Sequence, residues 1–440
     1  MDARHVPPLT DCPLGQAWAG SSVNASAFRC EGILTVGEAQ IGAYYGPQGQ
    51  VVVFRRSLTG DAVQRTEISP QSPDDLPWDA HRSISIGIDR DRCIHLGYGA
   101  HASTVKLLKG PPGLDISEFS PSRPDLARVT DSVTYPSFLT VGDPPRLVML
   151  YREGLPNSGA LRLRLFDEAS GRWVDPPEPL LDGRGHRNCA GPYLNRPVVL
   201  DDGTVCAFLV WRLRLPPEAG ADVVNSGLDL VAFRGDDLGA VETLSGMALP
   251  RPAGPMHTER VAAVPFRSDL MNQAGAAVDP HGQPAAVTWW RDPADEVPQV
   301  RLVRRRSGSW RATRVSDFAT DFALSGRGTL PLPHSRPYLL FAPDGRGLVV
   351  FRSAEYGGRL MAVIVPQDAE AGDTAETVVL WPSDLGYYEP IVDPEAWQSR
   401  GRLSMFVQPC AQQRGDGAGD DLTSADCRIV EWARAAIFGR

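Results

Sequence analysis

The chain has 440 residues, 42% of them apolar and 22% charged. That is the composition of a folded protein with either two or three domains or one large repeat architecture. Its formal net charge is −9, so it has no general field to draw nucleic acid or an anionic membrane surface, and an anionic ligand must be held by local cations. Those cations are all arginine except Lys106 and Lys109, and arginine is the better fork for a carboxylate.

The opening segment, MDARHVPPLTDCPLGQ, lacks the apolar stretch of a secretory leader. The compartment is therefore left open: secretion if a leader has been removed, the cytoplasm otherwise. No apolar run reaches the length of a membrane span. From residue 46 onward one pattern recurs. A turn rich in Asp, Gly or Pro is followed by four to six β-prone residues, often ending in an aromatic residue and arginine. It occurs as GPQGQVVVFRR, DRDRCIHLGY, GDPPRLVMLYR, DDGTVCAFLVWR, DPHGQPAAVTWWR, APDGRGLVVFR and SRGRLSMFVQ.

The turn residues supply tight reversals, and the continuous apolar runs read as strands buried on both faces. Further short strands lie between them: 161–167, 229–235, 300–306 and 360–366. No long segment keeps a helical apolar stripe. Recurrent short strands of this kind predict an all-β, seven-bladed β-propeller rather than a pair of sandwiches. The expected organisation is a single domain, 1–440. Its blade-core strands are expected near 51–56, 93–98, 146–152, 204–212, 284–291, 347–352 and 402–408. The long interval from 212 to 281 and the polar stretch 412–427 read as insertions projecting from one face. The protein is expected to be a monomer.

Chemistry-bearing residues concentrate between Trp78 and Arg152. His81 precedes a strand-like run, and His101 follows its hairpin partner, so both imidazoles are expected at one end of the propeller axis. Tyr135 precedes Pro136, which predicts an extended tyrosine at a strand start. Its phenol is a candidate acid, or a base if a neighbouring cation lowers its pKa. Arg152 ends LVMLY and is followed by a glycine-containing loop. It is suited to a carboxylate unless Glu153 neutralises it. His95, in mid-strand, reads as a core histidine or as one that supports the site residues from behind.

Tyr44, Arg212, Asn272, Gln273 and Trp289 are candidate sugar contacts. His186 and Cys189, with Cys206, offer soft ligands without a diagnostic zinc spacing, so a metal is left unassigned. Seven cysteines show no CxxC pair, and Cys410 and Cys427 flank a loop across which they could pair in an oxidising compartment. Phosphate-cradle, dinucleotide, GxSxG and HExxH motifs are absent, and no cofactor is expected.

The ordered set of motifs resembles a family. LTVGEAQIGAYYGPQGQVVVFRRSL, WDAHRSISIGIDRDRCIHLGYGAHAS, VTYPSFL and MLYREGLPNSG, followed by LMNQAGAAVDPHGQP and YEPIVDPEAWQSRGRLSMFVQ, resemble the BNR-repeat group of seven-bladed propellers. That group includes ulvan lyases and lyases acting on rhamnose–glucuronate linkages. The pattern departs from the family at Ala102-Ser103-Thr104-Val105 and at Cys93. The resemblance implies catalytic roles for His81, His101, Tyr135 and Arg152. It also implies an acidic, uronate-containing glycan substrate, cleaved by β-elimination at C4 to leave a 4,5-unsaturated uronate. Two other readings remain: a non-catalytic carbohydrate-binding propeller, and an intracellular enzyme performing an elimination or cyclisation on a small metabolite.

Overall fold

The computed structural model describes residues 3–60, 62–70, 77–122, 132–185, 190–215, 223–235, 238–326, 328–369, 375–417 and 423–439. The main strands form seven separate antiparallel sheets that succeed one another along the chain. Blade one is Ile33–Val36, Ala39–Tyr45, Val51–Ser57 and Val63–Ile68. Blade two is Ser85–Ile88, Ile94–Tyr98, Lys106–Lys109 and Ser120–Pro121. Blade three is Val133–Val141, Arg146–Leu155, Ser158–Asp167 and Arg172–Val174. Blade four is Ala190–Leu194, Thr204–Leu213, Asn225–Arg234 and Glu259–Ala262. Blade five is Ala276–Val278, Pro284–Trp290, Gln299–Arg306 and Ser309–Arg314. Blade six is Tyr338–Phe341, Gly347–Ser353, Arg359–Val365 and Glu376–Trp381. Blade seven takes Ile391–Asp393, Arg402–Val407 and Ser424–Ala433 from the C-terminal region, and its outermost strand is Thr10–Trp18. That pairing closes the ring. The fold is a seven-bladed β-propeller.

The packing explains why the sequence shows continuous apolar runs instead of alternation. Among the described residues, seven buried clusters each join two neighbouring blades. Within Gly347–Ser353, Leu348 and Val350 pack toward blade seven, while Val349 and Phe351 pack toward blade five. A strand with both faces covered needs apolar side chains at successive positions. Outer strands such as Ser309–Arg314 are largely exposed, and their polar sequences hid them from pattern reading. Six of the seven recognised runs are the second strand of their blade. The first, 51–57, is the third strand of blade one, because the turn after that blade's inner strand is the short Gly37-Glu38.

One helix was not expected. Pro394–Arg400 replaces a simple turn after the inner strand of blade seven. Asp393 caps it by accepting from the Ala396 N–H, and Gly401 ends it at φ 62°. Cys410 and Cys427 are both free and buried. They belong to the apolar clusters on opposite sides of blade seven, which keeps them apart. His186 and Cys189 lie outside the described residues. Among the described residues no helix is long and apolar enough to cross a membrane.

His334 is enclosed between blades five and six. Its ring stacks on Phe318 at 3.6 Å, and its Nδ1 lies 2.9 Å from Ser353 Oγ. Burial pushes its pKa down to about 4, against the pull of Glu355 and aided by Arg352. Between pH 6.5 and 4 the unfolded chain therefore binds a proton that the folded chain refuses. Stability contributed by the neutral ring is present above pH 6.5 and is lost as pH falls through that window, by about 3 kcal/mol. Urea titrations of wild type and His334→Asn across this window should show a shallower pH slope in the variant. Equal slopes would place the acid sensitivity elsewhere.

Candidate active site

Each of the seven blades contributes a residue from its inner strand or the segment before it to one linked set at an end of the axis: Phe28, His81, Tyr135, Tyr193, Asn272, Arg336 and Glu389, joined by ring contacts and through Arg212. Arg152 and Arg212 join them from the far ends of the second strands of blades three and four. The other end of the axis is a wide funnel of about 1200 Å³, lined by the exits of the inner strands, including Ile88, Thr140, Val278 and Phe341. The buried ion pair Arg196–Glu31, 2.8 Å, lines this funnel. The funnel holds none of the predicted catalytic groups.

His81 sits in a single 3-10 turn, Ala80–Arg82, whose cap is Asp79. The Asp79 carboxylate accepts from the His81 N–H at 2.9 Å and meets His81 Nδ1 at 2.8 Å. Its other oxygen lies 2.6 Å from His101 Nδ1. The two imidazoles stack at 4.0 Å, only 9° from parallel. His101 begins a short strand, His101–Ser103, that leaves blade two and pairs with the inner strand of blade three. The Ala102-Ser103 segment is therefore the bridge that carries His101 to Thr134, the residue before Tyr135.

Burial disfavours ionisation of Asp79, but the hydrogen bonds from His101 and His81 outweigh it and hold the carboxyl well below the usual range. Burial lowers the His81 pKa against the pull of Asp79, so its ring is neutral at neutral pH. Asp416 and Thr329, from two segments bridged at Gly415, each lie 3.4 Å from His81 Nδ1. Asp79, His81, His101 and Asp416 are the described residues whose donor atoms, all within 4.8 Å of one another, suit a metal ion. Both imidazole Nδ1 atoms are already engaged by Asp79.

Tyr135 corrects an expectation. It precedes proline yet has φ 58°, in the left-handed region, at a bulge between Thr134 and Ser137 where the ladder shifts register. The bulge turns the side chain toward the axis at a backbone cost of about 1–3 kcal/mol. Ala102 and Gln273, also at this mouth, have φ 47° and 60°. The Tyr135 ring lies 4.9 Å from Phe28, 5.7 Å from His81 and 6.0 Å from Tyr193. Burial raises its pKa, the nearby Tyr193 adds to this, and Arg152, Arg212 and Arg336 oppose it without prevailing. The phenol is a proton donor at neutral pH, not a ready phenolate.

Arg152 is 4% exposed. It donates to Gly154 O at 3.0 Å and Thr134 Oγ1 at 3.3 Å, and its Nε has no partner. Its sequence neighbour Glu153 pairs instead with Arg162 and Arg184. Among the described residues no carboxylate forms an ion pair with Arg152 or Arg212. Both guanidiniums lie over the Tyr193 ring, at 5.1 and 4.2 Å. Arg212 also donates to Asn225 and Asn272, at 3.1 and 2.9 Å. Gln273 is buried beneath and accepts from Asn272 at 2.9 Å. Arg336 is neutralised by Glu389 at 3.0 Å and covers Phe28.

The structure thus brings together His81, His101, Tyr135, Arg152, Arg212, Asn272 and Gln273. Tyr44 and Trp289 are not with them. Tyr44 is buried against Phe54 and Phe406, with its hydroxyl on Leu14 O. Trp289 is buried between blades five and six beside Phe322. Both lie within strands whose two faces are covered. Phe28, Tyr193 and Arg336 escaped sequence reading, and Asp79 shows there only as a turn residue, with no role assigned. Only Asp79 had a local signal, its capping position two residues before His81.

The sequence profile described as a BNR repeat-containing family member matches residues 39–318, well over half of the chain. The chain belongs to the BNR-repeat family. As a fold, this BNR-repeat protein is similar to the solved polysaccharide lyase Uly1, with TM-score 0.66 and 13% identity over 96% of this chain and 99% of that one. It is also similar to an ulvan lyase solved with -[GlcA(1-4)Rha3S]-, with TM-score 0.59 and 12% identity over 84% and 96%. A search of curated proteins found no match.

Proposed function

We propose that this BNR-repeat protein is a polysaccharide lyase that cleaves the glycosidic bond at C4 of a uronic acid by β-elimination. One observation carries the reading: a buried guanidinium with no carboxylate partner among the described residues, Arg152, lies beside a phenol and a carboxylate-held imidazole pair in one axial mouth. A buried unpaired cation is costly unless a ligand supplies its anion, and a uronate does so. The likeness to two lyase structures, one holding a glucuronate-containing glycan, supports the same substrate class.

In the proposed reaction Arg152 neutralises the carboxylate, which acidifies the C5 proton and stabilises the enolate-like intermediate. A neutral imidazole of the His81/His101 pair takes that proton through Nε2. The C5 electron pair forms C4=C5, the C4–O bond breaks, and the leaving oxygen takes the Tyr135 proton. Solvent then returns a proton to Tyr135 and removes one from the imidazole, so atoms and charge balance without a redox partner. Arg212, Asn272 and Gln273 bind the neighbouring sugar.

The test is product analysis on glucuronate and iduronate glycans, with carboxyl-reduced versions as controls. An unsaturated, ultraviolet-absorbing non-reducing end is expected, only from the unreduced glycans. Saturated products would indicate hydrolysis, and binding without turnover would indicate a carbohydrate-binding propeller. Because Asp79 already occupies both imidazole Nδ1 atoms, EDTA should leave turnover unchanged. Loss of turnover on EDTA treatment, restored by a divalent ion, would reassign the Asp79–His81–His101–Asp416 cluster as a metal site.

A further inference from the structure

The Asp79 carboxylate holds two stacked imidazoles, one oxygen to each, both at Nδ1. A carboxylate well below its usual range only accepts hydrogen bonds. Each ring therefore carries a proton on Nδ1, and in a neutral ring the free lone pair is on Nε2. Among the described residues neither Nε2 has a hydrogen-bond partner. The charged and titratable groups facing the pair are Asp79, Asp416, Tyr135 and, beside Asp79 at 3.9 Å, Arg82. Among the described residues, Asp79 is the only carboxylate that hydrogen-bonds both rings.

We infer that Asp79 is a shared positioning residue that fixes both histidines as Nδ1–H tautomers and presents two Nε2 bases to the axial mouth. The inference rests on the lyase reading for its catalytic consequence, but not for its tautomeric one. Stacked rings 4.0 Å apart cannot both charge without strong repulsion, so a single carboxylate matches a pair that takes up one proton at a time. Asp79 touches no substrate atom in this account and acts through the imidazoles.

The variant that separates this role from a capping role is Asp79→Asn. Asparagine caps a helical turn as well as aspartate does, so a capping role alone predicts unchanged kinetics. A positioning role predicts a fall in kcat of about 10²-fold with little change in KM, because an amide N–H turned toward one ring forces its proton to Nε2. The acid limb of the kcat/KM profile should also move to lower pH, because the imidazolium loses its anionic partner. Asp79→Glu should recover part of kcat and return the limb.

A measurement on the unmodified protein covers the case in which the variants do not fold or no lyase substrate is found. Nitrogen-15 chemical shifts of the two imidazoles at pH 8 should place both protons on Nδ1. A proton on Nε2 of either ring, or an unmoved acid limb in a folded Asp79→Asn protein, would overturn the inference. Nδ1 protonation of both rings in a protein that yields no unsaturated product would uphold it while sinking the lyase reading.

Discussion

Arg152→Ala lowers kcat/KM on a uronate glycan by about 10³-fold, measured as the initial rate of unsaturated product formation. The size follows from the task. The C5 proton is far too weakly acidic to leave while the adjacent carboxylate is ionised and unpaired, and Arg152 is the guanidinium that approaches both Tyr135 and Tyr193. Arg152→Lys keeps the charge but loses the fork and should recover only a small part of the rate. The fold gives an independent check. Because no carboxylate of the described chain pairs with Arg152, its removal strands no buried anion, and losing its hydrogen bonds to Gly154 O and Thr134 Oγ1 should lower the thermal midpoint only modestly. A large loss of stability would mean that Arg152 serves the fold and not the substrate.

Tyr135→Phe is expected to cost a further large factor, about 10³-fold in kcat, with KM little changed. Phenylalanine keeps the ring between Phe28 and Tyr193 and keeps the left-handed backbone at φ 58°. Only the proton donor is lost. Burial holds the phenol in its acid form, so its service is to the leaving oxygen. The loss should therefore shrink on a substrate whose C4 substituent is a phenol of low pKa, because such a group leaves without protonation. Equal losses on both substrates would assign Tyr135 to binding or to proton abstraction instead.

Much of this was legible in the residues, for reasons that differ by position. The second strands show as apolar runs because each packs on two neighbours, as Leu348 and Val349 do. The outer strands, polar and exposed, do not show. His81, His101, Tyr135 and Arg152 stood in ordered motifs. Phe28 and Arg336 stood alone in segments entering inner strands and Tyr193 within one, and only closure of the ring brings them together. Tyr44 and Trp289 misled because an aromatic residue in a two-faced strand has the composition of a sugar platform but the position of a core. Tyr135 was placed on the correct strand with the wrong backbone, since the bulge that aims it is set by pairing with Arg146–Leu155 and not by Pro136 alone.

The most direct test of the central claim is a crystal structure of the Tyr135→Phe protein soaked with an acidic oligosaccharide. The account predicts a uronate carboxylate on Arg152, its C5 facing an imidazole Nε2, and the adjoining sugar against Arg212 and Asn272. An oligosaccharide seated in the opposite funnel between Ile88 and Val278, or one whose carboxylates all face solvent at the His81 mouth, would contradict it.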